Sequence, residues 1–169
     1  MRPRRSILPA LAVILLAGVA ASAADKEKEN QICEPALTVL EKAEQIELLS
    51  LNPERPQEKP KDGFHGWKVL GKTTVKDADT RKKLIAAFKE GVAKNDGTAA
   101  LCFNPRHGIR ATHDGKTAEF VICFECLHGQ TYLGDKQLKG FLTTSFPEKA
   151  FNKILTDAKV PLPEKPRRE

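Results

Sequence analysis

Apolar residues recur along this chain with two periods, and the change from one to the other marks out the elements. Leu84, Ile85, Phe88 and Val92 fall at helical spacing, while Lys82, Lys83, Lys89 and Glu90 lie largely off that face. Asp77 is placed to cap this helix and Asn95-Asp96-Gly97 to end it. Ala36, Leu37, Leu40 and Ala43 follow Pro35, which suits a first helical turn, and predict an earlier helix. Ser145-Phe146-Pro147-Glu148 reads as a capping box that opens a last helix, with Ala150, Phe151, Ile154, Leu155 and Ala158 as its buried stripe and Val160-Pro161 as its stop.

Between these helices the pattern shortens toward period two or loses polar members altogether. Strands are predicted over 46–51, 67–75, 99–103, 108–113, 117–126, 130–133 and 141–145. Asp114-Gly115 is a preferred pair for a two-residue hairpin turn, whose central residues both need positive φ. That turn sets Arg110 opposite Glu119, Ile109 opposite Phe120 and Ala111 opposite Ala118. Phe120 to Phe124 has no polar member, so this strand is expected at the centre of the sheet, covered on both faces. Helices and strands in this order describe a single α+β domain, an antiparallel sheet with helices packed on one face.

The ends of the chain read differently. Arg2, Arg4 and Arg5 precede an apolar run over 7–21 that closes on Ala21-Ser22-Ala23, the pattern of a cleavable secretory signal peptide over 1–23. An uncleaved anchor is the alternative reading of that run. Residues 24–32 form a charged leader expected to be disordered, the domain proper is expected over 33–160 with a proline-rich surface loop at 52–63, and 161–169 are expected to form a loose tail. After cleavage no further membrane span is expected, and the product is expected in the periplasm or secreted.

Composition narrows the classes of partner. The formal charge is +6, from 28 basic and 22 acidic residues; removing the three arginines of residues 1–23 leaves 25 − 22 = +3. Acids and lysines are interspersed, without the concentrated basic face that displaces counterions, so no nucleic-acid partner is expected.

Chemistry concentrates in one stretch. Three of the four cysteines and three of the four histidines fall between Cys102 and His128, as Cys102-Phe-Asn-Pro-Arg106-His107-Gly and Cys123-Phe-Glu-Cys126-Leu-His128. CFNPRHGI followed by CFEC on the next strand resembles the motif pair that marks a group of uncharacterised exported bacterial proteins. The resemblance covers about 64–160 and implies a common fold, with no activity attached.

Four readings of the cluster follow from its residue types. An exported chain with an even number of cysteines, Cys33, Cys102, Cys123 and Cys126, points to structural disulfides. Residues three apart on a strand face opposite ways, which favours joining Cys102 to Cys123 or Cys126 and leaves Cys33 for the other. Alternatively Cys102, His107, Cys123 and Cys126 supply three thiolates and an imidazole suited to zinc, although a true knuckle needs a tight turn and Phe124-Glu125 reads as strand. A thiol-disulfide redox centre at Cys123-x-x-Cys126 would require a lowered thiol pKa, for which Arg106 and His107 are the available cations. A cysteine hydrolase would use Cys102 with His107 or His113 as base, but no residue pattern identifies an oxyanion hole. His65, Trp67 and Tyr132 read as packing residues, and His113 as a solvated flank of the turn. The reading preferred is a non-enzymatic structural or binding domain, with no catalytic residue and no cofactor assigned, and with the cluster as a disulfide staple.

Overall fold

The computed structural model describes residues 30–58 and 60–164. Its elements run α1 (Glu34–Lys42), β1 (Ile46–Leu51), β2 (Val69–Val75), α2 (Ala78–Ala93), β3 (His107–His113), β4 (Lys116–Cys123), β5 (His128–Leu133), β6 (Lys136–Gln137), β7 (Phe141–Leu142) and α3 (Glu148–Asp157). The strands form one antiparallel sheet in the order β2-β1-β3-β4-β5-β6, with β7 also on β5.

The hairpin has the register its turn dictates: Arg110 pairs with Glu119, Ile109 with Phe120 and Ala111 with Ala118. Asp114 and Gly115 take φ of 48° and 70°. β4 is central, and Phe120 through Phe124 are all buried. Parity then divides the sheet. Ile46, Leu48, Ile109, Ala111, Ala118, Phe120 and Ile122 face α1, α2 and α3 and form the main core, with Phe88 edge-on to Phe120 at 5.4 Å and to Phe141 at 5.1 Å. On the opposite face Leu49, Leu51 and Val121 pack under Phe64, with Trp67, Val69, Phe103 and Tyr132 around them. The helices thus occupy one face, and the segment around Phe64 and Trp67 covers part of the other.

Asp77 caps α2 by accepting from Thr80 N at 2.8 Å. Pro35 lies in the first turn of α1. Several expectations give way. Residues 99–103 are not a strand: they run irregularly outside the sheet, with Leu101 fully exposed and a single ladder-like bond from Ala100 N to Cys126 O at 3.0 Å. The strand expected to reach 126 ends at Cys123, and 124–127 form a turn in which Leu127 has a φ of 61°. No capping box opens α3, because Pro147 occupies the cap and the Ser145 carbonyl, not its side chain, accepts from Glu148 N at 3.1 Å. Ala158 is exposed because α3 ends one residue earlier, at Asp157.

Both ends of the described chain are better anchored than their composition suggests. Ile32 is buried, and the Asn30 side chain accepts from Leu142 N at 2.6 Å and donates to Val92 O at 3.0 Å, so 30–32 belong to the fold. At the other end Val160 is buried, Leu162 packs on the main core, and Arg106 donates to Glu164 O at 2.7 Å. The signal peptide expected over 1–23, the leader over 24–29 and the tail over 165–169 lie outside the described residues. Among the described residues no helix is long and apolar enough to cross a membrane.

Candidate functional site

The two motifs meet at one end of the β3–β4 hairpin. Cys102 and Cys126 form a disulfide with Cα atoms 5.8 Å apart, joining the largely exposed 99–103 segment to the turn after β4, in which Cys126 is buried. Cys123 and Cys33 are free, so the second bridge, which was to use Cys33, does not form. Cys33 instead stands at the N-cap of α1 without a side-chain hydrogen bond. Cys123 lies beside the disulfide: its Sγ donates to Asn104 O at 3.4 Å and accepts from Cys126 N at 3.1 Å. Burial pushes the Cys123 thiol up, the Asn104 and Cys126 bonds only partly oppose this, and the Glu125 carboxylate adds to it.

Strand parity keeps His107 away from these sulfurs. His107 pairs with Ile122 and shares its face, the helix side, whereas Cys123 is one residue on and points to the other. The imidazole is enclosed by Phe124 and Phe151, with ring centroids at 5.2 and 5.7 Å, and its Nε2–H donates to Asn152 Oδ1 at 2.8 Å. Its Nδ1 has no partner among the described residues, and the same is true of Ser50 Oγ on the residue directly opposite it in β1. Burial pushes the His107 pKa down to about 4; the Asn152 bond works against this, and the Arg106 charge adds to it. The Cys102, His107, Cys123 and Cys126 set is therefore not assembled, two of its sulfurs being spent in the disulfide. No group of three or more His, Cys, Asp or Glu side chains among the described residues is placed to hold a metal ion.

The remaining members of the motifs secure the chain. Arg106 does not act on a thiolate: besides Glu164 O, its guanidinium reaches Glu125 at 3.6 Å. His128 pairs with Cys123 across β4 and β5, stacks on Phe103 with centroids 4.9 Å apart, and donates from Nε2 to Cys102 O at 2.8 Å. His113 lies 3.2 Å from Asp114 at the hairpin turn, far along the strand from Cys102.

A groove of about 1340 Å³ opens beside the stapled segment. Ile32, Val92 and Phe141 line its apolar part, and Asp96, Leu101 and His128 stand along it.

Sequence reasoning placed Arg110 opposite Glu119 but missed the polar ladder that extends from this pair to Glu47, Lys72 and His65 across the other face of the sheet. Lys72 donates to Glu47 at 2.6 Å, Arg110 reaches Glu47 at 3.3 Å and Glu119 at 2.5 Å, and His65 Nε2 donates to Glu119 at 2.8 Å. His65 in turn stacks on Tyr132 with centroids 3.5 Å apart. Burial works to raise the Glu119 carboxyl, but the bonds from His65 and Arg110 outweigh it and hold the group below the ordinary carboxylate value. His65 and Gly66 reach this position through φ of 50° and 87°, a two-residue turn closed by the Phe64–Trp67 bridge. The signal was present as His-Gly between two aromatic residues, a turn pair of the same kind as Asp114-Gly115.

No protein-family model matches this chain, and neither the curated proteins nor the solved structures contain a match.

Proposed function

We propose that this is an exported domain with a non-enzymatic structural or binding role, stapled by Cys102–Cys126 in an oxidising compartment, and that it belongs with the exported bacterial proteins marked by the CFNPRHGI and CFEC pair. The observation that carries this reading is the disulfide itself, which ties the first motif to the second. A bond of this kind persists where thiols are not kept reduced, in agreement with the secretory pattern of residues 1–23. The residues that invited catalytic readings are committed to holding the fold. His128 secures the Cys102 carbonyl, Arg106 secures Glu164, and His107 is held neutral in the core. Cys123 is buried and held as the thiol, which is the poorer nucleophile.

The test is the intact mass of the protein recovered from the periplasm of a Gram-negative host expressing the full chain. The expected product begins at Ala24, is two hydrogens lighter than the fully reduced chain, takes up two alkyl groups under denaturing conditions and carries no metal. Four alkylated thiols together with one bound zinc would overturn the staple in favour of the metal site.

A further inference from the structure

Three of the four sulfurs meet at the end of the hairpin, and only two are bonded to each other. On a continuous strand Cys123 and Cys126 would point to opposite faces. The turn over 124–127, closed by the left-handed Leu127, removes that obstacle. The Cys126 amide reaches back 3.1 Å to Cys123 Sγ. That contact sets the Cys123 sulfur against the residue that carries the bonded Cys126 sulfur. Cys126 is thus within reach of two sulfurs, its present partner Cys102 and the thiol of Cys123.

We infer that Cys102, Cys123 and Cys126 form an internal thiol–disulfide exchange site, in which the staple passes from Cys102–Cys126 to Cys123–Cys126 and back. Cys123 loses its proton and attacks Cys126 Sγ. The Cys123–Cys126 bond forms as the Cys102–Cys126 bond breaks, and the electron pair leaves on Cys102 Sγ, which takes up a proton from water. One disulfide and one thiol stand on each side, so the step needs no oxidant or reductant.

The burial of the three residues gives the exchange a direction in space. Cys123 and Cys126 are buried, and Cys102 is exposed. The attacking sulfur is shielded from outside reagents, while the leaving sulfur departs into solvent, where a thiolate is well hydrated. The groups facing Cys123 keep the resting state intact. Burial and Glu125 favour the thiol, Arg106 is occupied with Glu125, and His128, opposite on β5, is bonded to the Cys102 carbonyl. Exchange also has a structural consequence. Residues 99–103 are held by the disulfide, by Ala100 N on Cys126 O and by His128 on Cys102 O. Release of Cys102 removes the covalent one of these three ties, beside a groove that Ala99, Ala100 and Leu101 help to line.

The experiment uses the folded chain carrying Cys33→Ser, which leaves Cys123 as its one thiol while the staple is intact. The protein is held at about pH 8.5 with N-ethylmaleimide and no reductant, over the minutes to hours that uncatalysed disulfide rearrangement takes. Cleavage after Glu125 separates Cys123 from Cys126 for mapping. The expected product carries the alkyl group on Cys102 and a Cys123–Cys126 link, with a rate independent of protein concentration. Cys123→Ser should abolish the labelling of Cys102. An alkyl group on Cys123 with Cys102–Cys126 retained, no labelling at all, or labelling of Cys102 that survives Cys123→Ser each overturns the proposal. Should Cys123→Ser fail to fold, Cys102→Ser decides: on air oxidation it must form the Cys123–Cys126 disulfide, and its persistence as a dithiol overturns the exchange.

Discussion

Lowering the pH should destabilise this fold through one residue, His107, before any of the stabilised carboxylates are protonated. In the native state protonation would have to occur at Nδ1, which is buried and has no partner among the described residues, while Nε2 is already bonded to Asn152. The native pKa of about 4 lies below the ordinary 6.5 of an exposed histidine. At about pH 5 the unfolded chain therefore binds a proton at this position that the native chain refuses. Because the unfolded state binds more protons, stability is fully present above the unfolded value and is lost as the pH falls toward the native one. Linkage over the whole interval amounts to about 3 kcal/mol, of which about 2 kcal/mol falls between about pH 7 and about pH 5. Glu47 and Glu119 are held below their ordinary values and so lose their contributions only at lower pH. The assay is urea unfolding across that window for the native chain and for His107→Gln. The amide keeps a hydrogen-bonding group near Asn152 but does not titrate. Whatever packing the substitution costs, its stability should be flatter with pH by about 2 kcal/mol over the window. Parallel pH dependences for the two chains would refute the reasoning, because they would mean that His107 is hydrated or paired in the native state.

Two further substitutions test the sheet. Gly129→Ala builds a Cβ 2.3 Å from the tip of the Phe141 ring, and the shift this forces in a packed core should cost about 1–3 kcal/mol, read as a lower urea midpoint at unchanged slope; a change within about 0.5 kcal/mol would show that the ring is not seated on the glycine. For the ladder, a double-mutant cycle with Arg110→Ala and Glu119→Ala should give a coupling of about 1 kcal/mol, whereas exchanging the two charges should restore only part of the loss, because the exchange sets a glutamate against Glu47 and an arginine against His65. Full recovery on exchange would mean that the pair stands apart from the rest of the ladder.

The features that could be read from the residues are those set by local chemistry. Asp114-Gly115 demands one turn, and that turn imposes one register, so the β3–β4 pairing follows from two adjacent residues. Asp77 caps α2 through its own side chain, with no help from the rest of the fold. Other features depended on partners far away in sequence. Ala99 to Phe103 has the composition of a strand, yet it is held by a disulfide and by His128, and Leu101 meets solvent on all sides. Phe124 continues the apolar run of β4, which hides the turn that starts there; its ring is held by His107 and Phe151 from the helix side. His65 reads as a packing residue because Glu119, the group that engages it, lies 54 positions away.

One row of residues across the sheet explains why two halves of the same motif end in different environments. Gly71, Ser50, His107, Ile122 and Gly129 pair in succession from β2 to β5 and share the helix face. The glycines at the two ends admit Val160 and Pro161 on one side and the Phe141 ring on the other, which seals the row beneath side chains. A histidine in its middle is buried with no acidic partner among the described residues, and burial holds it neutral. Cys123, one position beyond Ile122, takes the opposite parity and emerges beside the disulfide. A single step along β4 therefore separates a group whose burial governs acid stability from one placed to exchange disulfides, and no single site can contain both.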